Sequence, residues 1–325
     1  MVQCSVRRTS VRARGLALVV TLLALLGSWL VAPTGAQSAA VAVGYRDFSY
    51  STSITAPTGQ KPESKLWYND GTWWGVLWNA TASPKRLEIY RFNLSTQATN
   101  AWTPTGTVID SRRNSEADVL WSGGKLYVLT HMKDTDTSAT DLGLKFQRFG
   151  YSTTSKTYAF EASKTVVNKK AEAAVLDRDS TGKLWVTYTT ENTTGGREVR
   201  VAHSTTSDTT WVAPYVVPAP GANNLSLDDI ATIVAYKDPR EASTAPRRIG
   251  VLWSNESAGT ANGLYFASHK DGSDDSTASW AGVKLCSSTL CPDDHLNIKS
   301  IDADASGNLY AAVKTSLNDA SSPRR

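Results

Sequence analysis

Cysteine is nearly absent from this 325-residue chain, standing only at positions 4, 286 and 291. A four-cysteine zinc set is thereby excluded. Long Leu/Ala/Glu/Lys stretches are scarce, which removes coiled coils and weighs against helices. Charge is sparse as well, at 20% of residues and a net +4, and Arg7, Arg8, Arg12 and Arg14 are the only charged residues before Tyr45. A mature chain without them is neutral and lacks the clustered cations that nucleic acid or an anionic membrane requires. The sequence contains no Gly-rich phosphate loop, no Gly-x-Ser-x-Gly elbow and no His-Glu-x-x-His helix. Nucleotide binding and those hydrolase and metalloprotease classes go with them. What is present is 41% hydrophobic residues, 22 Gly, 12 Pro, 11 Trp and many Ser and Thr, the composition of a packed chain of strands and turns.

The four arginines precede an apolar run from Gly15 to Ala32, followed by small residues at Thr34, Ala36, Ser38 and Ala40. That order is a secretory signal peptide, expected at 1–36 with a mature domain at 37–325; an uncleaved anchor is the alternative. After Arg7-Arg8, the residues Thr9, Ser10 and Val11 do not continue a twin-arginine pattern. With Cys4 in the leader, Cys286 and Cys291 are the remaining pair, read as one small-loop disulfide in an oxidising space, with no metal role.

A repeat organises the rest. Lys65-Leu66-Trp67-Tyr68-Asn69-Asp70-Gly71-Thr72-Trp73-Trp74 corresponds to Asp118-Val119-Leu120-Trp121-Ser122-Gly123-Gly124-Lys125-Leu126-Tyr127. The pattern returns around Gly182-Lys183-Leu184-Trp185 and Gly307-Asn308-Leu309-Tyr310, and as Asp229–Val234 with Ile249–Trp253, separated by a polar insertion. Each copy is a strand, a turn and a second strand, at intervals of roughly 55 residues. Third alternating runs follow at Leu87–Phe92, Leu144–Phe149, Val199–His203 and Leu264–Ala267, and fourth ones near Trp102, Tyr158, Trp211 and Trp280. Four antiparallel strands per unit predict an all-β β-propeller, with blades at about 60–110, 111–168, 169–220, 221–290 and 291–325. The fifth is incomplete, with strands expected at Leu296–Ala303 and Leu309–Thr315. Either Phe48–Ile54 closes a five-bladed ring, or the chain is a truncated six- or seven-bladed one.

Asn69-Asp70-Gly71-Thr72-Trp73 is similar to the second half of an Asp-box turn, and Tyr45 to Ser316 resembles the secreted bacterial propellers of the sialidase/BNR type. The resemblance implies glycan chemistry. The arginine triad and paired Tyr/Glu of true sialidases have no position-by-position counterpart here.

Residues preceding each first strand converge on one end of a propeller axis. They include Glu63 and Lys65, Asn114, Glu116 and Asp118, Glu172, Asp228 and Asp229, and Asp294 and His295; the returning second strands end at Asn79, His131, Glu191 and Asn255. Acids with a few Lys, His and Asn around one mouth suit sugar binding and acid/base work. Glu116, Asp118, Asp228, Asp229, Asp294 and His295 are the catalytic candidates, with His131 a second proton carrier. Glu63, Lys65, Asn114, His131, Glu172 and Asn255 are the ligand-binding candidates. No cofactor is expected. The expected partner is an extracellular glycan or cell-wall component, met by a monomer; the alternative is a noncatalytic protein or cell-wall interaction scaffold. Asp177-x-Asp179-x-Thr181-Gly182 and Asp302-x-Asp304-x-Ser306-Gly307 imitate half of a calcium loop, but Tyr188 and Val313 stand where its bidentate Glu belongs, so both are hairpin turns. Asn-x-Ser/Thr sequons stand at Asn79, Asn93, Asn192, Asn224 and Asn255, and His203 and His269 occupy equivalent third-strand ends.

Overall fold

The computed structural model describes residues 62–93, 101–133, 140–257, 262–286, 292–298 and 302–315. The leader, the expected closing strand and Cys291 lie outside the described residues. Blade 1 comprises β1 (Leu66–Asn69), β2 (Thr72–Asn79), β3 (Arg86–Phe92) and β4 (Trp102–Asp110). Blade 2 comprises β5 (Ser115–Ser122), β6 (Lys125–Met132), β7 (Leu144–Ser152) and β8 (Thr157–Val167). Blade 3 comprises β9 (Ala174–Arg178), β10 (Leu184–Glu191) and β11 (Arg197–His203), with the short β12 (Tyr215–Val216) and β13 (Asn223–Leu225) both on β11. Blade 4 comprises β14 (Ala231–Tyr236), β15 (Arg248–Asn255), β16 (Gly263–Lys270) and β17 (Trp280–Cys286). The fifth unit is the hairpin β18 (Pro292–Asn297) and β19 (Ala312–Thr315). Strands pair antiparallel in chain order within each blade, and the first strands β1, β5, β9, β14 and β18 pack in succession. The protein is an all-β propeller of four-stranded blades with a two-stranded fifth unit.

Middle strands are apolar on both sides because both blade faces are covered. In β2, every residue from Trp74 to Asn79 is buried, and in β10 every residue from Leu184 to Thr190 is. The outer strands β4 and β8 are exposed or half-buried over most of their length. The core is accordingly a series of four layers between successive blades. Trp67, Trp74, Val76 and Ile89 meet Val119, Leu126 and Phe149; Leu129 and Phe146 meet Leu176, Leu184 and Tyr188. Val175, Trp185 and Val201 meet Ile233, Val251 and Trp253, and Val234 and Leu252 meet Leu296 and Ile298.

Aspartates tie the inner strands together. The Asp118 carboxylate accepts from Ser64 N at 2.6 Å and from Leu176 N at 2.8 Å, so one side chain of blade 2 holds both neighbours. Asp177 accepts from Ala235 N at 2.7 Å and Asp302 from Lys237 N at 3.0 Å. Inside the expected hairpin turn of blade 3, Asp179 accepts from Thr181 N and Lys183 N at 2.9 Å, and its other oxygen takes the Trp185 indole N–H at 2.9 Å. Gly182 completes that turn at φ +92°, a conformation that suits glycine.

Three expected strand bounds shift, each for a local reason. The fourth run of blade 3 does not centre on Trp211, which makes only an isolated bridge to Ser204. Pro214, Pro218 and Pro220 cannot donate to a ladder, and the edge breaks into β12 and β13. The first strand of blade 4 begins at Ala231 rather than Asp229, because the Asp229 carboxylate binds Ser226 N and Glu256 N and shapes a loop. In the fifth unit the strands are β18 and β19 rather than Leu296–Ala303 and Leu309–Thr315. There, Asp304 gathers Ser306 N, Asn308 N and the Tyr310 hydroxyl at 2.7–2.9 Å, which holds the intervening segment as a loop.

Candidate functional site

Starts of first strands and ends of second strands meet at one end of the axis, and blades 1, 2 and 3 bring their polar residues into contact there. Glu63 precedes β1, Glu116 lies on β5, and His131 lies opposite Glu116 in the β5–β6 register. The Glu63 carboxylate receives His131 Nε2 at 2.5 Å and Ala174 N at 3.2 Å through one oxygen, and Lys65 Nζ at 2.8 Å through the other. His131 Nδ1 faces Ala171 O at 3.0 Å, which makes it the donor to that carbonyl. Lys65 also donates to Ala117 O. Beside this group, Glu172 pairs with Lys133 at 3.3 Å.

The Glu63, Glu116 and His131 side chains are all buried, and one ligand atom from each lies within 4.8 Å of the others. Among the described residues this is the set whose spacing would suit a metal ion. Within it the Glu63 carboxylate is ion-paired with Lys65 and His131. Burial alone would raise the Glu63 pKa, but the neighbouring Lys65 and His131 outweigh it and hold the carboxyl far below its ordinary range. For Glu116 burial wins: desolvation, helped by the charge of Glu63, pushes it up to about 7, against the pull of His131, Lys65 and Lys133. One Glu116 oxygen, Oε2, is buried without a hydrogen bond. Burial acts against a charged His131, yet the Glu63 carboxylate, its hydrogen bond and Glu116 together raise the imidazole pKa. Two adjacent carboxyls are thus driven apart, one kept ionised and one holding a proton near neutrality.

The other candidates have different surroundings. Asp118 is fully buried and spends both oxygens on main-chain amides of neighbouring blades. Asp229 is equally enclosed, accepting from Ser254 Oγ at 2.6 Å and from two main-chain amides, and burial raises its pKa. Both carboxylates thus hold main-chain amides of the loops and blades around them. Asp228 is exposed, with its charge felt by Arg197. His295 is exposed, and the Asp294 side chain lies outside the described residues. Asn114 sits half-buried before β5 at φ +59°.

Asn255 uses its side-chain amide within the chain. Its Oδ1 accepts Ser257 N at 3.0 Å and its Nδ2 binds Gly221 O at 3.0 Å. Asn79 and Asn192 make the same turn, accepting Thr81 N at 3.1 Å and Thr194 N at 2.9 Å. The hydroxyl two residues on donates to the same oxygen each time, so three of the sequons are Asx turns closing second strands. In blade 2, β6 carries His131 near that end instead, and the departure from the repeat marks the polar group.

Lys133 was missed by sequence reasoning. It stands two residues beyond His131, on the same side of an extended chain, and that alternation was the available signal. His203 and His269, by contrast, pack on Trp185 with ring centroids 4.4 and 5.0 Å away, a repeated structural position.

No family model matches the chain, and no curated protein matches it. Among solved structures it is similar to an alpha-L-arabinofuranosidase from Lactobacillus brevis at 13% identity, covering 82% of this chain and 94% of that one, with a TM-score of 0.42. It is also similar to an alpha-L-arabinanase of Penicillium chrysogenum complexed with arabinobiose, at 15% identity, 80% and 76% coverage and a TM-score of 0.48. A thermostable family-43 glycoside hydrolase aligns at 12% identity, 83% and 88% coverage and a TM-score of 0.42. These are five-bladed propellers of the glycoside hydrolase kind rather than specifically sialidase-type ones. At such values the likeness concerns architecture alone, and the chemistry of the site rests on its own residues.

Proposed function

We propose that the chain is an exported propeller that binds and cleaves an extracellular polysaccharide or glycoconjugate at the mouth formed by blades 1 to 3. One observation carries the reading: adjacent blades place Glu63 and Glu116 together, and Glu116 keeps a proton up to about pH 7. A carboxylic acid of that kind can protonate a departing glycosidic oxygen at neutral pH. Glycosidases use a second carboxyl on the other side of the scissile bond. Glu172, ion-paired with Lys133, is assigned that part. Glu63, Lys65 and His131 set the charge that Glu116 feels. Asp228, Asp294 and His295 are assigned to the outer rim, where a glycan chain would run.

Export by the 1–36 leader, a monomeric state and the sialidase-type leaning of the Asn69–Trp73 turn belong to the same proposal. So does a Cys286–Cys291 bridge. Cys286, at the end of β17, is disulfide-bonded.

The noncatalytic reading is favoured by one fact: the Glu63 and His131 side chains have no solvent exposure. The test is release of reducing ends from a panel of polysaccharides, run beside a glycan array. Cleavage by the wild type, lowered about 100-fold or more in Glu116→Gln, is the expected result. Array binding without release of sugar assigns the mouth to recognition alone. Neither binding nor release removes the glycan reading altogether.

A further inference from the structure

Side chains stitch blades 1 and 2 together along their outer strands. Thr107 Oγ1 donates to Tyr158 O at 3.1 Å, Gln147 Nε2 to Ile109 O at 2.9 Å, and Arg112 Nη1 to Gly143 O at 2.7 Å. Along these ties lies a groove of about 400 Å³, lined by Val108 to Ser111 on one side and by Phe160, Ser163 and Thr165 of β8 on the other, with Gln147 spanning them. None of the mouth residues lines it. The volume lies in the range of small-ligand pockets.

Bulges in both strands build the groove. In β4 the register passes from Val108 to Asp110 and leaves Ile109 without a cross-strand partner, and its carbonyl takes the Gln147 amide instead. In β8 the register passes from Phe160 to Ala162, and the extra residue, Glu161, is held by Arg148 at 2.8 Å and by Lys125. A bulge re-aims the side chains beside it. Phe160, in register with Phe149, stands edge to face against that buried ring at 5.8 Å and 77° and stays 58% exposed. Lys145, Gln147 and Phe149 share one face of β7, so their partners Thr165, Ser163 and Phe160 share the matching face of β8.

A large exposed ring held in place offers a flat apolar face to a ligand. Among the described residues Gln147 Oε1, Ser163 Oγ and Thr165 Oγ1 make no hydrogen bond, which leaves an acceptor and two hydroxyls for that ligand. The charges of the lining are matched: Asp110 pairs with Arg112 at 2.6 Å and Lys145 with Asp141 at 2.5 Å. Lys164 is in register with Phe146, whose ring faces blade 3, so its ammonium leaves from the opposite face of the sheet. An aromatic platform among hydroxyls, with no unmatched charge, fits an uncharged polyol ring rather than an ion. With its one carboxylate ion-paired, the groove holds no acid and base for cleavage.

We propose that this groove is a second, noncatalytic glycan site that seats one neutral sugar ring on Phe160. The inference goes beyond the reading of the mouth, since it requires no cleavage there.

The test is calorimetric titration of the full mature chain with arabinopentaose, xylopentaose and galactopentaose as neutral probes and digalacturonate as an acidic one. At least one neutral probe should bind. Phe160→Ala should weaken one binding event per chain at least about tenfold, as loss of an aromatic anchor does, and Phe160→Trp should keep it within about threefold. Ser163→Arg, which fills the groove, should remove the same event. Both positions are exposed, and circular dichroism confirms that each variant folds. Release of reducing ends from a soluble oligosaccharide, unchanged by Phe160→Ala, reports on the mouth separately. Neutral-sugar binding that survives both Phe160→Ala and Ser163→Arg overturns the groove site and leaves the mouth reading standing. Tighter binding of digalacturonate, lost in the same variants, overturns the neutral assignment. Absence of binding to every neutral probe overturns the proposal whatever the cleavage assay returns.

Discussion

Replacing Glu116 by glutamine removes a buried carboxyl while keeping its shape, and the consequence for stability depends on pH in a calculable way. The folded-state pKa of Glu116 is raised from 4.5 to about 7 by burial and by the charge of Glu63. Between those values the native protein holds a proton that the unfolded chain has released, so stability falls as pH rises through the window. The full gap corresponds to about 3 kcal/mol, reached above about pH 7. At pH 5 only about 1 kcal/mol of that cost is present. Glu116→Gln should therefore gain about 2 kcal/mol over the wild type between pH 5 and pH 8. His131 and Glu63 titrate in both proteins: the raised His131 stabilises below its unfolded value and loses this as pH rises, whereas the depressed Glu63 stabilises above its own. Urea denaturation of both proteins at the two pH values measures the gap. A difference between variant and wild type that is the same at pH 5 and pH 8 would refute the argument that burial governs this carboxyl.

Asp118→Ala should cost about 3 kcal/mol or more, because two buried amides on different blades, Ser64 N and Leu176 N, lose their acceptor at once. Chemical denaturation giving a loss under about 1 kcal/mol would show that the tie is dispensable. Gly124 turns the β5–β6 hairpin at φ +74° with no atom within 4 Å of an added side chain, so only backbone strain opposes substitution. Gly124→Asn should lower stability by well under the roughly 1–2 kcal/mol of Gly124→Val, and equal melting temperatures for the two variants would contradict this reading.

The repeat of strand, turn and strand was legible because it is written in local chemistry. A turn needs Gly71 or Gly182 at positive φ, a covered middle strand needs apolar residues on both faces, and both requirements recur with every blade. The four-stranded antiparallel sheets follow from that pattern and from the third alternating runs. The broken edge of blade 3 was also written in Pro214, Pro218 and Pro220, whose missing donors outweigh the aromatic signal of Trp211. Three Asn-x-Ser/Thr turns were visible as sequons and only in space became strand-closing Asx turns.

Which of the mouth acids do chemistry was not legible, because Asp118, Asp229, Glu63 and Glu116 all precede or begin inner strands and look alike in sequence. Tertiary structure separated them by what each carboxylate meets. Asp118 and Asp229 meet main-chain amides, Glu63 meets Lys65 and His131, and Glu116 is left with a buried oxygen and a negative neighbour. A protonation state is set by charges a few ångströms away, and Glu63, Glu116 and His131 become neighbours only when two blades stack side by side.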